Sequence, residues 1–237
     1  MTNSVLSSIM LISLIVFPSF KNLDLPQIHV KNADWIWLFN GENTDAWKGV
    51  HSDEFPEKGW EIIGKELVTV GGDKSQRGGD IITIETFSSF DLRFEYKLTE
   101  GANSGLKYFV KKYPSGSVLG CEYQMIDDEN NKDIKDDEDG KRLTAGLYEL
   151  FEAENKMVNP HGEWNKGRII VKGKQVEHWL NGVMVLEYER GSDAFMEAKA
   201  KSKFKDVEDF GTMESGHILL QDHSDKVYFR KIKIMEL

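Results

Sequence analysis

Two short stretches carry the residue types that could do chemistry. In GCEYQMID, Glu122 is followed two residues later by Gln124 and then by Asp127. Near the C-terminus, Gln221, Asp222 and His223 interrupt the otherwise apolar, β-branched run HILLQDHSDKVYFRKIKI. A carboxylate can act as base or nucleophile, and an imidazole can carry a proton near neutral pH, so both stretches are candidate sites. Retaining hydrolysis of a glycosidic bond needs two carboxyl groups about 5 Å apart, which same-face strand positions two or four residues apart would supply. Gln124 stands where the second carboxylate would fall, and an amide is neither nucleophile nor acid, so that reaction is disfavoured here. Asp222 and His223 can enter one site as an acid/base pair only if a turn or bulge intervenes, because neighbours on a strand face opposite sides.

Other chemistries leave no mark. The six histidines (His29, His51, His161, His178, His217 and His223) are scattered, with no H-x-H, H-E-x-x-H or G-x-S-x-G. No cofactor is expected, and no metal-ligand spacing is visible. The acidic run Asp127–Arg142 lacks oxygen ligands at alternate positions before Gly140, so it reads as a solvated loop. Cys121 is the single cysteine, which excludes an intrachain disulfide, and its apolar surroundings predict a buried, inert thiol.

The elements that must position these residues are strands. In FSSFDLRFEYKL, Phe90, Leu92, Phe94, Tyr96 and Leu98 alternate with Asp91, Arg93, Glu95 and Lys97, a period of two with one face apolar. The same period sets Leu106, Tyr108 and Val110 against Lys107, Phe109 and Lys111, and Cys121, Tyr123 and Met125 against Glu122, Gln124 and Ile126. Turns are expected at Gly173 and at Asn181-Gly182, the latter a strong hairpin signal. Further strands are predicted in WIWLF, WEIIGKELVTV, DIITIE and AGLYELFEA, about a dozen in all. His178, on one face with Val176 and Leu180, reads as a core histidine, and Asn103-Ser104-Gly105 as a turn with a functional Asn103. In SDAFMEAKAKSKFKDVEDF, Met196, Ala200, Phe204 and Val207 recur at helical spacing behind a Ser192/Asp193 cap. The fold class is all-β, a sandwich of two antiparallel sheets with one short inserted helix.

The length of 237 residues suits one domain, and the net charge of −10 argues against nucleic acid or an anionic membrane as partner. Residues 4–20 form a long apolar run, read as part of a secretory signal peptide over 1–22, followed by a linker over 23–34 and the domain over 35–237. The mature protein is then expected in the periplasm or outside the cell, off the membrane. A polar sandwich face with Trp47, Trp60, Trp164, Trp179, Tyr123 and Tyr148 available for stacking suits carbohydrate, although most aromatics of β-proteins belong to the core.

Nine ordered pieces of the chain, among them LFNGENTDAWKG, GANSGLKYFV, CEYQMIDDE, RLTAGLYELF, VEHWLNGVMVLEYE and SKFK, resemble the 3-keto-disaccharide hydrolase domain family from about Trp35 to Leu237. The resemblance implies a concanavalin A-like jelly roll acting on glycosides whose C3 hydroxyl has been oxidised by a separate nicotinamide-dependent oxidoreductase. It further implies 3-keto-glycoside lyase or 3-keto-2-hydroxyglucal hydratase activity. A C3 ketone acidifies the C2 proton, so one base, donors for the enolate oxygen and an acid for the leaving oxygen suffice. On this basis Glu122, His223 and Asp222 are the catalytic candidates. Glu95, Asn103, Lys107, Gln124, Tyr148, Trp164, Gln221 and Arg230 are the substrate-binding ones. For Glu122, a cross-strand salt bridge is the competing reading, and for Arg230 a structural pairing with Glu95 or Glu122. A non-catalytic carbohydrate-binding module and a conventional glycoside hydrolase are the alternatives.

Overall fold

A computed structural model describes residues 34–137 and 139–237. The leader expected over 1–22 and all of the expected linker except Asp34 lie outside these residues. No helix among them is long and apolar enough to cross a membrane.

The strands are β1 (Ile36–Phe39), β2 (Trp47–Gly49), β3 (Trp60–Ile63), β4 (Glu66–Thr69), β5 (Ile81–Thr83), β6 (Phe90–Leu98) and β7 (Asn103–Lys112). They continue with β8 (Val118–Ile126), β9 (Asn165–Lys172), β10 (Gln175–Leu180), β11 (Val183–Glu189), β12 (His217–Leu220) and β13 (Val227–Glu236), with helix α1 (Asp193–Lys201) before β12. All pairings are antiparallel. The larger sheet runs β11-β10-β9-β6-β13-β4-β3 with β1 also on β13, and the smaller runs β2-β5-β12-β7-β8.

The period of two is what builds the core. Phe90, Leu92, Phe94, Tyr96 and Leu98 of β6 are buried against Leu106, Tyr108, Cys121, Tyr123 and Met125 of β7 and β8. Burying each large apolar side chain contributes roughly 1.5–3 kcal/mol, so the inward row of β6 alone is a major stabilising element. The hairpin turns fall where expected, with positive φ at Gly173, Asn181 and Gly182.

Four local expectations are corrected. Phe109 adopts φ 53 at a break in the β7–β8 register, and this bulge turns its ring into the main core. Val110 is thereby carried to the opposite side, with Ile82 and Leu219. AGLYELFEA is not a strand: Ala145 and Glu149 take positive φ, and the segment coils along the open edge of β8. There the Ala145 N–H donates to the Gln124 carbonyl and the Tyr148 N–H to the Glu122 carbonyl, which covers an edge that would otherwise be unpaired. Asn103-Ser104-Gly105 opens strand β7 rather than forming a turn. Helix α1 starts at the expected cap, where Ser192 Oγ accepts from the Phe195 N–H. It buries Phe195 and Lys199, however, and ends at Lys201, so Met196 faces solvent and Phe204 and Val207 lie beyond the helix.

His178 is a core histidine. Its Nδ1 lies 2.9 Å from the Ala145 carbonyl and its Nε2 2.8 Å from the Tyr108 hydroxyl, which also bonds the Tyr188 hydroxyl. The carbonyl can only accept, so Nδ1 carries the proton and Nε2 accepts from Tyr108. Burial lowers the imidazole from its ordinary 6.5 to about 4, against a smaller opposing effect of the Ala145 carbonyl. The unfolded chain therefore takes up a proton that the folded one refuses, and stability present above pH 6.5 is lost as pH falls towards 4. That loss is on the order of 3 kcal/mol. Urea unfolding at pH 7.0 and 4.5 should show a smaller pH effect in His178→Gln than in the parent; equal pH effects would refute this assignment.

Candidate functional site

The site lies on the face of the smaller sheet that points away from the core. Because Cys121, Tyr123 and Met125 point inward, Gly120, Glu122 and Gln124 of β8 point outward, and Asn103, Gly105 and Lys107 of β7 do the same. Cross-strand register sets Lys107 opposite Glu122 and Gly105 opposite Gln124. Lys107 Nζ lies 3.6 Å from Glu122 Oε2. Gly105 is the floor beneath this pair, since a Cβ there would sit 2.3 Å from Glu122 Oε1. The end of β12 is stitched to the same strand: the Gln221 N–H donates to the Gly105 carbonyl at 3.0 Å, and the Ser104 hydroxyl to the Gln221 carbonyl at 2.8 Å. These bonds aim Gln221 and, two residues on, His223 into the cleft.

Two irregular segments wall the cleft. The coil after β8 supplies Tyr148, and the segment after α1 supplies Lys203 and Phe204, with the Lys203 ammonium 4.2 Å above the Tyr148 ring. The inner cavity measures about 140 Å³, and an adjoining outer cavity of about 240 Å³ shares Asn103, Gln124, Tyr148 and His223 with it. The outer cavity adds Asp133 and Arg142, both from the acidic run that reads in sequence as a solvated loop. Asn103 Nδ2 donates to Asp133 Oδ2 at 3.2 Å, while its buried Oδ1 has no partner among the described residues. Gln124 Oε1 accepts from the Met125 N–H at 3.1 Å, which leaves its amide NH₂ as the donor end.

Electrostatics separates the roles of these groups. Burial, reinforced by the Glu122 carboxylate, pushes the Tyr148 phenol up to about 12, so Tyr148 is a neutral donor across the working pH range. Desolvation lowers the Lys203 ammonium, with Glu122 and Glu149 opposing. Asp80, which lines a separate hollow with His51 and Arg77, is raised by burial, with Lys107 pulling the other way. Glu122 is the one carboxylate of the inner cavity, facing ammonium, amide, phenol and imidazole groups. Such an arrangement can take a proton from carbon and hold negative charge on an adjacent oxygen.

Of the residues singled out by sequence, Glu122, His223, Asn103, Lys107, Gln124, Tyr148 and Gln221 converge here. Asp222 does not. It is buried on the other side of the strand end, where Oδ2 accepts from the Gly78 and Gly79 N–H groups at 3.0 and 3.1 Å and Oδ1 accepts from the Ser224 N–H at 3.1 Å. Arg77 pairs with the same carboxylate and donates to the Asp222 carbonyl. Asp222 is thus a loop anchor, held by the Arg77–Gly79 segment just beyond the end of β12, while His223 turns into the cleft. Glu95, Arg230 and Trp164 lie on the larger sheet or its approach: Arg230 Nε donates to Glu95 Oε2 at 2.6 Å, and the Arg230 guanidinium stacks 3.8 Å from the Trp164 ring. The aromatics Trp47, Trp60 and Tyr123 are core residues. Lys203, Asp133 and Arg142 carry no periodic signal in the sequence, because each reaches the cleft from an irregular segment.

The profile of the 3-keto-alpha-glucoside-1,2-lyase-like domain matches residues 34–235. A curated 3-keto-disaccharide hydrolase of Bacteroides thetaiotaomicron is 31% identical over 240 residues, covering 91% of this chain and 82% of that one. Among solved structures, a "putative glycosyl hydrolase" of Parabacteroides distasonis superposes with a TM-score of 0.76 at 31% identity, over 86% of this chain and 94% of that one. A second protein so described from the same organism gives 0.64 at 27% identity, over 86% of this chain and 100% of that one.

Proposed function

The chain belongs to the 3-keto-alpha-glucoside-1,2-lyase-like domain family, and from that premise we propose that it cleaves glycosides carrying a C3 ketone by elimination followed by hydration. The Glu122 carboxylate takes the C2 proton, and the C–H electron pair forms the C2–C3 enolate with its charge on the C3 oxygen. Lys107, Asn103 and the Gln124 NH₂ are the donors for that oxygen. Collapse of the enolate breaks the bond from C1 to the glycosidic oxygen, which receives a proton from His223. Water then adds across C1=C2: its hydroxyl goes to C1 as its proton passes to His223, and Glu122 returns its proton to C2, so both groups are reset and the net change is hydrolysis of the glycosidic bond. Tyr148, neutral at working pH, donates to the sugar and moves no proton of its own.

The observation that carries this reading is the single carboxylate among donors in the inner cavity. A retaining glycosidase would need a second carboxylate about 5 Å away, whereas elimination needs one base. The reaction places the protein after an oxidation of the sugar at C3, the task of a separate nicotinamide-dependent enzyme class.

Matched aryl glucosides bearing a C3 hydroxyl or a C3 ketone test the proposal by release of the aryl group. Release is expected from the ketone alone. Release from the hydroxyl compound at a comparable rate would sink the elimination mechanism, and sugar binding without release from either would make the protein a carbohydrate-binding module.

A further inference from the structure

The opposite face of the sandwich carries a second groove. Five adjacent strands place five side chains in one unbroken cross-strand row. Trp179 of β10 lies opposite Arg168 of β9, Arg168 opposite Arg93 of β6, Arg93 opposite Lys233 of β13, and Lys233 opposite Trp37 of β1. All five line one groove of about 380 Å³, which also takes in Lys166 and Lys231. Four strand intervals of 4.7–4.9 Å separate the two tryptophans by roughly 19 Å. The groove thus has an indole at each end and guanidinium and ammonium groups between.

The charge of this groove runs against that of the chain. Five cations, Arg93, Lys166, Arg168, Lys231 and Lys233, line it with one carboxylate, Glu95, in a protein of net charge −10. The guanidinium groups are fixed from below. Asp91, buried beneath them, accepts from Nε and Nη2 of Arg93 at 3.2 and 2.9 Å and from the same atoms of Arg168 at 2.9 and 2.6 Å. Each arginine therefore keeps its Nη1 edge for another acceptor. Glu95 is occupied by Arg230 and Lys231, whereas Lys166 and Lys233 meet no carboxylate within 4 Å among the described residues. Lys233 instead sits over the rings of Trp35 and Trp37, at 4.5 and 5.5 Å. Trp37 is 48% exposed. A half-exposed indole beside cations without counter-charges is costly to leave bare and ready for a ligand that is planar or C–H-rich on one side and anionic on the other.

We propose that this groove binds an anionic oligosaccharide, its sugar rings stacked on Trp37 and Trp179 and its carboxylate or sulfate groups held by Arg93, Arg168, Lys166 and Lys233. The separation of the indoles calls for several linked sugar rings. The site stands independently of the reaction in the cleft, on the other sheet.

Affinity electrophoresis of the full chain in gels containing polygalacturonate, chondroitin sulfate or a neutral β-glucan tests it. Retardation is expected in at least one anionic gel and not in the neutral one, and the two anionic gels tell uronate carboxylates from sulfate esters. Trp37→Ala and the double variant Lys166→Gln/Lys233→Gln, all at exposed or half-exposed positions, should each weaken binding tenfold or more while cleavage in the cleft is unchanged. Glu122→Gln should bind as the parent does. No retardation in either anionic gel, or equal retardation in the neutral gel, would overturn the proposal. So would retardation that survives the double variant, retardation lost in Glu122→Gln, or retardation lost in the double variant but kept in Trp37→Ala, the signature of bare charge attraction.

Discussion

Glu122→Gln is expected to lower kcat for aryl release from a 3-keto-glucoside by roughly 10²–10⁴-fold, the range spanned by loss of a positioned general base. The substitution keeps the shape of the side chain but removes its capacity to accept the C2 proton, together with the negative charge that faces Lys107. KM should change little, because Asn103, Lys107, Gln124 and Tyr148 still line the cavity. The fold should also survive. Glu122 is buried beside Lys107, and removing one partner of a buried pair is commonly destabilising. Here Lys107 keeps the field of Asp80, a carboxylate whose own titration it influences. The two readings of Glu122 separate in the kinetics. A fall in kcat at constant KM marks a group that acts in the transition state, whereas a raised KM at unchanged kcat would leave Glu122 a cross-strand ion partner that helps hold the sugar, and the elimination mechanism would lose its base.

What was legible in the sequence follows the physics of periodicity. The alternation of β6 and β8 placed Phe90 to Leu98 and Cys121 to Met125 inward, and so placed Glu122 and Gln124 on one outward face. Asp222, a catalytic candidate beside His223 in the sequence, instead anchors the Arg77–Gly79 loop just past the end of β12, while His223 lines the cleft. Alternation misled where the backbone breaks it. A bulge at Phe109 exchanges the faces of Phe109 and Val110, and a β-bulge at a non-glycine residue leaves little trace in composition. Glu95 falls on the polar side of β6 as the alternation predicts, and Arg230 pairs with it, yet polar faces exist on both sheets, and nothing local in a strand says which sheet it joins. Lys203 and Arg142 reach the site on turns and Asp133 on a single-turn 3₁₀ helix (Lys132–Ile134), where no period reports the direction of a side chain. The row from Trp37 to Trp179 is invisible for a related reason, since it is assembled from five strands whose order in the sheet is not their order in the chain.

Gly105→Ala should separate activity from stability in a way few substitutions can. The added Cβ would lie 2.3 Å from Glu122 Oε1, 2.9 Å from Cδ and 3.1 Å from Cγ, so the carboxylate must leave its place over the strand. It is the free end of a flexible side chain and can rotate away, and the backbone at Gly105 lies outside the positive-φ region. Alanine is no worse than glycine in a strand interior, so unfolding free energy should move by less than about 1 kcal/mol. Activity should not be spared, because displacing a base by an ångström can cost about 10²-fold. Gly167→Ala is the matched contrast. Its Cβ would also lie 2.3 Å from a side chain, but that side chain is the Phe94 ring, buried in the core and packed against Tyr96 and Tyr123. A ring so confined cannot swing aside, and overpacking of this kind costs typically 1–3 kcal/mol. Urea unfolding and aryl release measured on both variants should therefore give opposite patterns, with Gly105→Ala folded and slow, and Gly167→Ala destabilised and, where folded, active. Full activity in Gly105→Ala would mean that the position of the Glu122 carboxylate is not what the reaction depends on.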